Sequence, residues 1–497
     1  MYCLLNGHDY FYDIQTITQI FFPNERFIRV DNTDMPGLTA VSILDRDKCL
    51  GALYSDGCLK QRQVMPLPEI ISGAGSPITH TPVADNASGS QEIRRRLMVT
   101  LYLSLKAHTG QDPPWGALTG IRPSKMARLL LEKGYSGDSI IGAMERNYLA
   151  RRDKIALAVD VAEEENKILK TLPENAFSLY VGIPFCPSRC LYCSFASYPI
   201  GKDAYVVDMY LGALEKELAA IRNLTRGLGV SAVYVGGGTP TVLTEKQLDR
   251  LLKFISGLFG VAAEFAVEAG RPDTINVRKL LVLKEYGVNR ISLNPQSLRD
   301  DTLARIGRSH STGDFYNSFA MARAEGFDNI NADVILGLPG ETPGNVEETM
   351  FKLLALRPEN VTVHILTIKR ASILRETLVQ YPLTGAGDLE EMLGVSRRMC
   401  RESGMLPYYM YRQKNMLGNF ENTGYSLPGR QSLYNVLIME ETQSVWAAGA
   451  GAVTKLVFGD RIERVFNVKN LNDYILRTDE MIKRKEDKYA DPTPARH

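Results

Sequence analysis

The chain has 497 residues, of which 44% are hydrophobic and 23% charged, and its formal net charge is +1. This length accommodates about two to four domains, and the composition is that of an ordinary globular protein. A net charge near zero gives no long-range attraction for nucleic acid or anionic lipid, and no apolar run reaches the roughly 18 residues of a spanning helix. We therefore expect neither nucleic acid nor a membrane as a partner.

The N-terminal third divides into a small unit and a helical region. Residues 1–65 alternate short apolar stretches with turn signals, which predicts a small α/β unit. The first residues have neither the basic start nor the apolar core of a secretory signal, so we expect a cytoplasmic, reducing location. Within 66–172, a Pro-, Gly- and Ser-rich linker over 66–90 precedes helices predicted at 91–107 and 155–172.

Three cysteines, Cys186, Cys190 and Cys193, lie in one short loop. Thiolates hold iron-sulfur clusters, and this spacing places three sulfurs around a cubane and leaves the fourth iron open, which indicates catalysis. The alternatives are zinc or structural thiols. Zinc needs four ligands, and the lack of a histidine between His108 and His310 and of a further cysteine before Cys400 argues against a local zinc site. The other cysteines are expected to be small buried residues: Cys3, Cys49, Cys58 and Cys400.

From residue 173 to 375 a short apolar strand followed by a helical pattern recurs at intervals of about thirty residues. The strands are predicted at 177–183, 231–235, 264–268, 290–294, 329–336 and 360–366. Such βα units indicate a parallel sheet with right-handed crossovers, curled into a barrel or part of one. Because active sites of these barrels lie at the C-terminal ends of the strands, we expect the unusual residues there to share one site.

Glycines and polar residues follow these predicted strands. The run Gly236-Gly-Gly-Thr-Pro-Thr241 lets a backbone approach a ligand closely. Glu268 ends the third strand, and Asn294 and Gln296 follow the fourth; the alternative is an ordinary polar strand end, with Glu268 paired to Arg271.

Asp333 interrupts the apolar fifth strand. A carboxylate in such a place is expected to be paired or to bind a ligand. Ribose hydroxyls and basic side chains are both candidate partners, and Arg308 is a candidate source of positive charge. We favour a bound ligand over a structural pair.

Together these motifs resemble the radical S-adenosylmethionine (SAM) superfamily. Three runs are similar to the oxygen-independent coproporphyrinogen III oxidase group: Tyr180-Val-Gly-Ile-Pro-Phe-Cys186, Gly236-Gly-Gly-Thr-Pro-Thr241 and Ala332-Asp-Val-Ile-Leu-Gly-Leu-Pro339. Two more resemble its HemZ branch: Trp115-Gly-Ala-Leu-Thr-Gly-Ile-Arg-Pro123 and Tyr408-Tyr-Met-Tyr-Arg-Gln-Lys-Asn-Met-Leu-Gly-Asn419. The resemblance implies an α/β fold with a TIM-like partial (β/α)6 barrel over 173–375 and a C-terminal α/β extension over 376–497.

The resemblance also implies roles for individual residues, although it assigns no catalytic side chain. The ligands of a [4Fe-4S] cluster would be Cys186, Cys190 and Cys193, with SAM chelating the open iron. The residues that match contacts of this first SAM are Tyr180, Gly237 and Glu268. Those that match contacts of a second SAM are Tyr192, Gly238, Thr239, Gln296, Arg308, Asp333 and Thr367.

In the family that these motifs resemble, one electron from the cluster cleaves SAM to methionine and a 5′-deoxyadenosyl radical. The radical takes hydrogen from a porphyrinogen propionate, which then loses carbon dioxide and an electron. Two such steps convert coproporphyrinogen III to protoporphyrinogen IX, so we expect a tetrapyrrole substrate and an electron donor such as flavodoxin or ferredoxin. The carboxylates of the tetrapyrrole substrate could be held by five basic residues: Lys369, Arg370, Arg375, Arg412 and Lys414. The alternative is that these residues form a solvated basic surface.

The sequence departs from its relatives at several positions. Residues 194–196 contain no cysteine, whereas the oxidases carry a fourth cysteine there, and Gly182 replaces a common histidine. The related haem chaperones also lack the fourth cysteine, but their His-Asn pair is missing from the comparable stretch beginning Tyr434-Asn435.

Three hypotheses about function therefore stay open. The first is a coproporphyrinogen III dehydrogenase. The second is another radical reaction on a tetrapyrrole, such as methyl transfer or haem ring opening. The third is a haem chaperone without substrate turnover. The sequence leaves the oligomeric state open.

Overall fold

The computed structural model describes residues 1–23, 25–45, 48–67, 89–120, 122–193, 197–200, 204–367, 384–413, 416–459 and 461–490. The chain forms two compact units, one of residues 1–163 and 410–421 and one of residues 164–409 and 422–497. The division of the chain at residues 65, 172 and 375 stays a prediction. None of the described helices is long and apolar enough to cross a membrane.

The first unit begins with the predicted small α/β structure. The elements are β1 (Tyr2–Asn6), α1 (Phe11–Phe21), β2 (Ile28–Val30), β3 (Leu38–Asp45), β4 (Lys48–Ser55) and β5 (Cys58–Pro66). The sheet has the order β2-β1-β3-β4-β5, in which β1 pairs in parallel with β2 and β3 and the other pairs are antiparallel. Apolar side chains of α1 pack with those of the next helix, α2 (Gly89–Thr109), in one buried cluster.

The remaining helices of this region form a second buried cluster around Trp115. They are α3 (Pro123–Glu132), α4 (Gly137–Tyr148) and α5 (Arg152–Leu169), and the chain enters the second unit within α5. Met410, from the short segment 410–421, belongs to the same cluster. The helices predicted at 91–107 and 155–172 are therefore confirmed, with ends shifted by a few residues.

All six predicted strands of the barrel region form, because each is a short apolar run bounded by glycine or polar residues. They are β6 (Ala176–Ile183), β9 (Gly229–Gly237), β10 (Glu264–Glu268), β11 (Arg290–Ser292), β12 (Ile330–Leu336) and β13 (Asn360–Ile365). Each pairs in parallel with the next, so their C-terminal ends meet at one edge. The α/β fold class with a partial barrel is confirmed.

The sheet continues on both sides of these strands in the order β14-β15-β13-β12-β11-β10-β9-β6-β16-β17-β18. The added strands are β14 (Leu406–Tyr411), β15 (Asn422–Ser426), β16 (Val445–Ala448), β17 (Val453–Phe458) and β18 (Arg461–Phe466). Strand β16 pairs in parallel with β6, so the C-terminal extension adds strands to the edge of the barrel sheet. A two-stranded ribbon, β7 (Phe185–Cys186) with β8 (Tyr198–Pro199), follows β6.

Helices cover the parallel strands, and side-chain caps define where several of them begin. They are α6 (Ala204–Leu224), α7 (Glu245–Phe259), α8 (Val277–Glu285), α9 (Asp300–Arg305), α10 (Thr312–Ala324), α11 (Pro343–Ala355), α12 (Ala386–Glu402), α13 (Leu433–Glu440), α14 (Leu471–Leu476) and α15 (Thr478–Ala490). Capping boxes at Thr244, Ser311 and Thr342 satisfy the first N–H groups of α7, α10 and α11.

Glu264, at the start of β10, anchors α13 to the barrel. Its carboxylate accepts hydrogen bonds from Leu433 N (3.0 Å) and Tyr434 N (2.9 Å), which the first turn of a helix otherwise leaves unpaired. Arg290 Nε donates to the same carboxylate at 2.9 Å, and both side chains are buried. The charge of Glu264 thus serves a buried ion pair and a helix N-terminus together.

We expect Glu264→Gln to destabilise the protein markedly, because it leaves Arg290 as an unpaired buried charge, a defect of about 3–5 kcal/mol. Lys352→Ala is the matched control, since it breaks the exposed pair with Glu348, for which about 0.3–0.5 kcal/mol is typical. Denaturant unfolding followed by circular dichroism compares the two variants. Equal unfolding midpoints would contradict the anchoring role of Glu264.

Candidate functional site at the C-terminal ends of the strands

The loop that follows β6, here called the cysteine loop (residues 184–200), carries the three predicted cluster ligands. Cys186 lies on β7, and its carbonyl accepts a hydrogen bond from Ile200 N at 2.8 Å. Cys190 is buried, and Arg271 Nη1 lies 3.6 Å from its sulfur. Because the other guanidinium nitrogens hold Asp273, the positive charge is fixed beside the loop.

The glycine run after β9, here called the glycine loop (residues 236–241), lies directly against the cysteine loop. Gly238 N donates to Ile183 O and Thr239 N donates to Phe185 O, both at 2.7 Å. Thr239 Oγ1 lies 3.6 Å from the sulfur of Cys186. A Cβ at Gly238 would stand 2.4 Å from Phe185 O and 3.0 Å from that sulfur, so only glycine permits this approach.

Glu268 lies at the end of β10 within hydrogen-bond reach of an aromatic cluster. The hydroxyl of Tyr234 donates to its carboxylate at 2.6 Å. The ring of Tyr234 stacks on Tyr434 at 4.4 Å and on Tyr180 at 6.3 Å. Burial raises the pKa of Glu268 to about 7. The alternative pairing with Arg271 is wrong, because Arg271 binds Asp273 at 2.8 Å.

Asp333 lies in the middle of β12, and its partners are different from those expected. Asn331 Nδ2 donates to it at 2.8 Å, and His364 Nε2 lies 3.6 Å away. Burial raises the pKa of Asp333, but hydrogen bonds from His364 and Asn331 outweigh burial and hold this pKa below its usual value. The suggestion that Arg308 supplies the positive charge is wrong, since its guanidinium donates to Tyr192, Gly270 O and Asn294 O. The side chain beside Asp333 is the His364 imidazole on the neighbouring strand β13.

Gln296 is held in an unusual conformation beside Asp333. Its φ is +65°, and its backbone bridges to β12 through Gln296 N to Asp333 O (2.9 Å) and Ile335 N to Gln296 O (3.0 Å). Its side-chain oxygen Oε1 is buried and has no hydrogen-bond partner among the described residues. A strained backbone and an unpaired buried acceptor at one residue are typical of a ligand contact.

Arg308 and Tyr192, predicted separately, are in direct contact. Arg308 Nη2 donates to the hydroxyl of Tyr192 at 2.9 Å, and Nη1 donates to Gly270 O at 3.0 Å. Tyr192 lies between two of the cysteines in sequence, so Arg308 ties the cysteine loop to the barrel. Thr367 follows β13, and its hydroxyl donates locally to Ile365 O at 3.3 Å.

Arg412 is wrong as a ligand for substrate carboxylates. It lies in the first unit, and its guanidinium donates to Leu118 O, Gly120 O and Asn419 Oδ1. Burial lowers the pKa of Arg412 to about 10. These contacts join the two runs that resemble the HemZ branch. The other basic candidates lie outside the described residues: Lys369, Arg370, Arg375 and Lys414.

The four remaining cysteines differ in burial, and the described residues offer no convergent ligands for a single metal ion. Cys3, Cys49 and Cys400 are buried as expected, whereas Cys58 is exposed, contrary to expectation. Within the described ranges, no three His, Cys, Asp or Glu side chains converge to hold one metal ion. A cubane places each thiolate on a different iron, so it does not need such convergence.

Comparison with known proteins identifies the class. Residues 180–353 match the radical SAM superfamily. The oxygen-independent coproporphyrinogen-III oxidase-like protein HemZ of Bacillus subtilis is 37% identical over 430 residues, which cover 83% of this chain and 86% of HemZ. The haem chaperone HemW of the same organism is 34% identical over 302 residues, 60% of this chain and 76% of HemW.

Coproporphyrinogen III oxidase (HemN) from Escherichia coli, a radical SAM enzyme, has a similar solved structure. Its TM-score is 0.50 at 25% identity, over 64% of this chain and 72% of HemN. Fold and motifs thus define a radical SAM protein. This chain belongs to the family of oxygen-independent coproporphyrinogen III oxidase-like proteins that includes HemZ. Membership of the superfamily implies a [4Fe-4S] cluster and SAM.

Sequence reasoning missed His364, Tyr234 and Tyr434. His364 is preceded and followed by apolar residues on β13, so its polarity alone was a signal comparable to that of Asp333. Tyr234 precedes the glycine loop and is ordinary as a strand residue. Tyr434 comes from α13, far along the chain, and its contact with Tyr234 depends on tertiary structure.

We expect Gly238→Ala to displace the cysteine loop, because the new methyl group overlaps Phe185 O and touches Cys186. The variant should fold but retain much less iron after anaerobic reconstitution than the wild-type protein. Gly257→Ala, in α7 with open space around it, is the matched control. Iron and sulfide analysis measures the cluster content. Undiminished iron in Gly238→Ala would show that cluster binding does not depend on the close contact between the two loops.

Proposed function

We propose that this protein is a radical SAM enzyme of haem biosynthesis. Its proposed reaction is the oxygen-independent oxidative decarboxylation of two propionates of coproporphyrinogen III, giving protoporphyrinogen IX. The observation that carries the proposal is the contact between the cysteine loop and the glycine loop, with Glu268 on β10 and Asp333 on β12, two strands that both pair with β11. The similarity to HemZ over most of both chains supports the choice of substrate class.

The residues at this edge fit a [4Fe-4S] cluster with SAM. The cysteine loop offers three thiols, and Gly238 leaves room beside Cys186 that any side chain would fill. When bound, these cofactors supply one-electron cleavage of a sulfonium bond and abstraction of a substrate hydrogen. We propose Cys186, Cys190 and Cys193 as the cluster ligands.

The polar residues of the barrel then divide into two proposed SAM sites. Near the cysteines, the carboxylate of Glu268 would hold the ammonium group of the first SAM, with Tyr180 and Gly237 beside it. Asp333 and Gln296 offer acceptors for hydroxyl or amino groups of a second SAM, since the low pKa of Asp333 keeps it ionised and Gln296 Oε1 is unpaired. The other proposed contacts of the second SAM are Tyr192, Gly238, Thr239, Arg308 and Thr367.

A haem chaperone without turnover is the second candidate. The similarity to HemW favours it, as does the absence of a cysteine at residues 194–196. Methyl transfer or ring opening on a tetrapyrrole would use the same proposed cofactors. For the leading proposal, we also propose that a flavodoxin or ferredoxin donates the electron and that the protein is cytoplasmic.

The experiment that separates these functions is an anaerobic assay of the reconstituted protein with SAM, reductant and coproporphyrinogen III. We expect deoxyadenosine together with a product that has lost two molecules of carbon dioxide. Cys190→Ala should abolish both products, because it removes a cluster ligand, whereas the exposed Cys58→Ala should leave them unchanged.

Other outcomes of this assay contradict the proposal in different ways. Deoxyadenosine with unchanged coproporphyrinogen III would reject this substrate, and haem would be tested next by product mass and by binding. Stable haem binding without any tetrapyrrole product would favour the chaperone. Unchanged deoxyadenosine formation by Cys190→Ala would reject the cluster ligands.

SAM binding should depend on pH through Glu268. Since burial raises the pKa of this carboxyl to about 7, it is protonated below that pH and cannot pair with an ammonium group. Affinity for SAM should therefore rise as pH increases through 7. The hydrogen bond from Tyr234 lowers the pKa of Glu268, so Tyr234→Phe should raise this pKa and move the rise in affinity to higher pH.

Equilibrium binding of SAM to the reconstituted, unreduced protein measures this dependence. Glu268→Gln is the control, since an amide does not titrate and should remove the rise around pH 7. Identical pH profiles for wild type and Glu268→Gln would exclude Glu268 as the partner of the ammonium group.

A further inference from the structure

Glu217, on α6, is a completely buried carboxylate at the centre of a hydrogen-bond network with the C-terminal segment (residues 449–490). Four groups of that segment donate to it: Gly449 N (2.9 Å), Asn467 Nδ2 (2.8 Å), Tyr474 Oη (2.5 Å) and Lys485 Nζ (2.6 Å). Lys485 is also buried, so its charge and that of Glu217 compensate each other. The network fixes the C-terminal segment on α6.

This network reaches the backbone that leads into the cysteine loop. The hydroxyl of Tyr210 donates to Gly182 O at 2.6 Å and accepts from Ala450 N at 3.1 Å. Gly449 has a φ of +112°, and a Cβ there would stand 2.6 Å from Gly182 O. Two backbone segments, at Gly182 and at Gly449–Ala450, therefore meet around one hydroxyl, and Gly449 permits this because it has no side chain.

The ring of Tyr210 extends the contact towards the first cysteine. It packs edge-on against Phe185 with ring centroids 5.4 Å apart, and Phe185 immediately precedes Cys186. On its other side, Tyr210 packs on Tyr474 of α14 at 5.2 Å. The position of Phe185 thus depends on packing that includes the C-terminal segment.

The C-terminal segment also contacts the far end of the cysteine loop. The hydroxyl of Tyr198 accepts from Leu471 N at 3.1 Å and donates to Lys469 O at 3.3 Å. Tyr198 lies on β8, opposite Phe185 on β7. The same segment therefore supports the start of the loop indirectly, through Tyr210 of α6, and contacts its far end directly, through Tyr198.

We propose that the C-terminal segment is a positioning element for the cluster ligands and acts through the hydroxyls of Tyr210 and Tyr198. The inference rests on the proposed cluster function of the cysteine loop. Three thiols that would each bind one iron of a cluster need a defined mutual geometry. Groups that orient ligands without touching the metal commonly control metal affinity. The absence of a side chain at Gly182 fits this arrangement, because a Cβ there would lie 3.3 Å from the Tyr180 ring and 3.4 Å from Ala448 O.

The test uses the complete chain with Tyr198→Phe and Tyr210→Phe, each of which removes one hydroxyl. Tyr286→Phe is the matched control, because it removes a hydroxyl that donates to Asp249 at 2.7 Å between α8 and α7. After anaerobic reconstitution, the rate of iron loss to a chelator and the electron paramagnetic resonance (EPR) spectrum of the reduced cluster are measured beside the thermal midpoint. We expect both loop variants to lose iron on the order of tenfold faster than Tyr286→Phe, with altered spectra.

Each result separates this inference from the proposed function. If the wild-type protein takes up no cluster, both are overturned. If it takes up a cluster and both loop variants lose iron at the wild-type rate with unchanged spectra, only the positioning role is overturned. If Tyr210→Phe fails to fold, the result for Tyr198→Phe alone decides. The hydroxyl of Tyr198 makes peripheral contacts, so we expect this variant to fold. If Tyr286→Phe loses iron as fast as the two loop variants, the faster loss reflects general destabilisation of the protein, and the inference is overturned.

Discussion

Two backbone hydrogen bonds join the glycine loop to the end of β6 and to the start of the cysteine loop, and the arrangement of the candidate site depends on them. They run from Gly238 N and Thr239 N to carbonyls on either side of Pro184, at 2.7 Å each. They hold Cys186 beside Gly238 and Thr239, which follow β9. Because a side chain at Gly238 would collide with Phe185 O, the glycine is a steric requirement as well as a motif.

Two half-buried carboxyls, Glu268 on β10 and Asp333 on β12, have pKa values shifted in opposite directions. Burial raises the pKa of Glu268, while hydrogen bonds, chiefly from His364, overcome burial and lower the pKa of Asp333. The negative charge of Asp333 further raises the pKa of Glu268. In the proposed function, a cation next to Glu268 would favour its ionised form, and Asp333, whose pKa is lowered, would offer an ionised acceptor.

The strands and the cysteine and glycine loops could be predicted from sequence because their signals are local. A short apolar run with a polar end specifies each strand, and spacing alone groups the three cysteines. Partnerships between distant segments could not be predicted: Asp333 with His364, Tyr234 with Tyr434, and β16 with β6. Arg412 was misjudged because a basic residue has the same sequence signal whether it is solvated or bonded to buried carbonyls.

The central claim is that the cysteine loop holds a cluster whose fourth iron is open to SAM. EPR spectroscopy of the reconstituted, reduced protein with and without SAM tests it most directly. The account predicts the signal of a reduced [4Fe-4S] cluster whose g values change when SAM is added, and no such signal in Cys190→Ala. A cluster signal that is identical with and without SAM would contradict it.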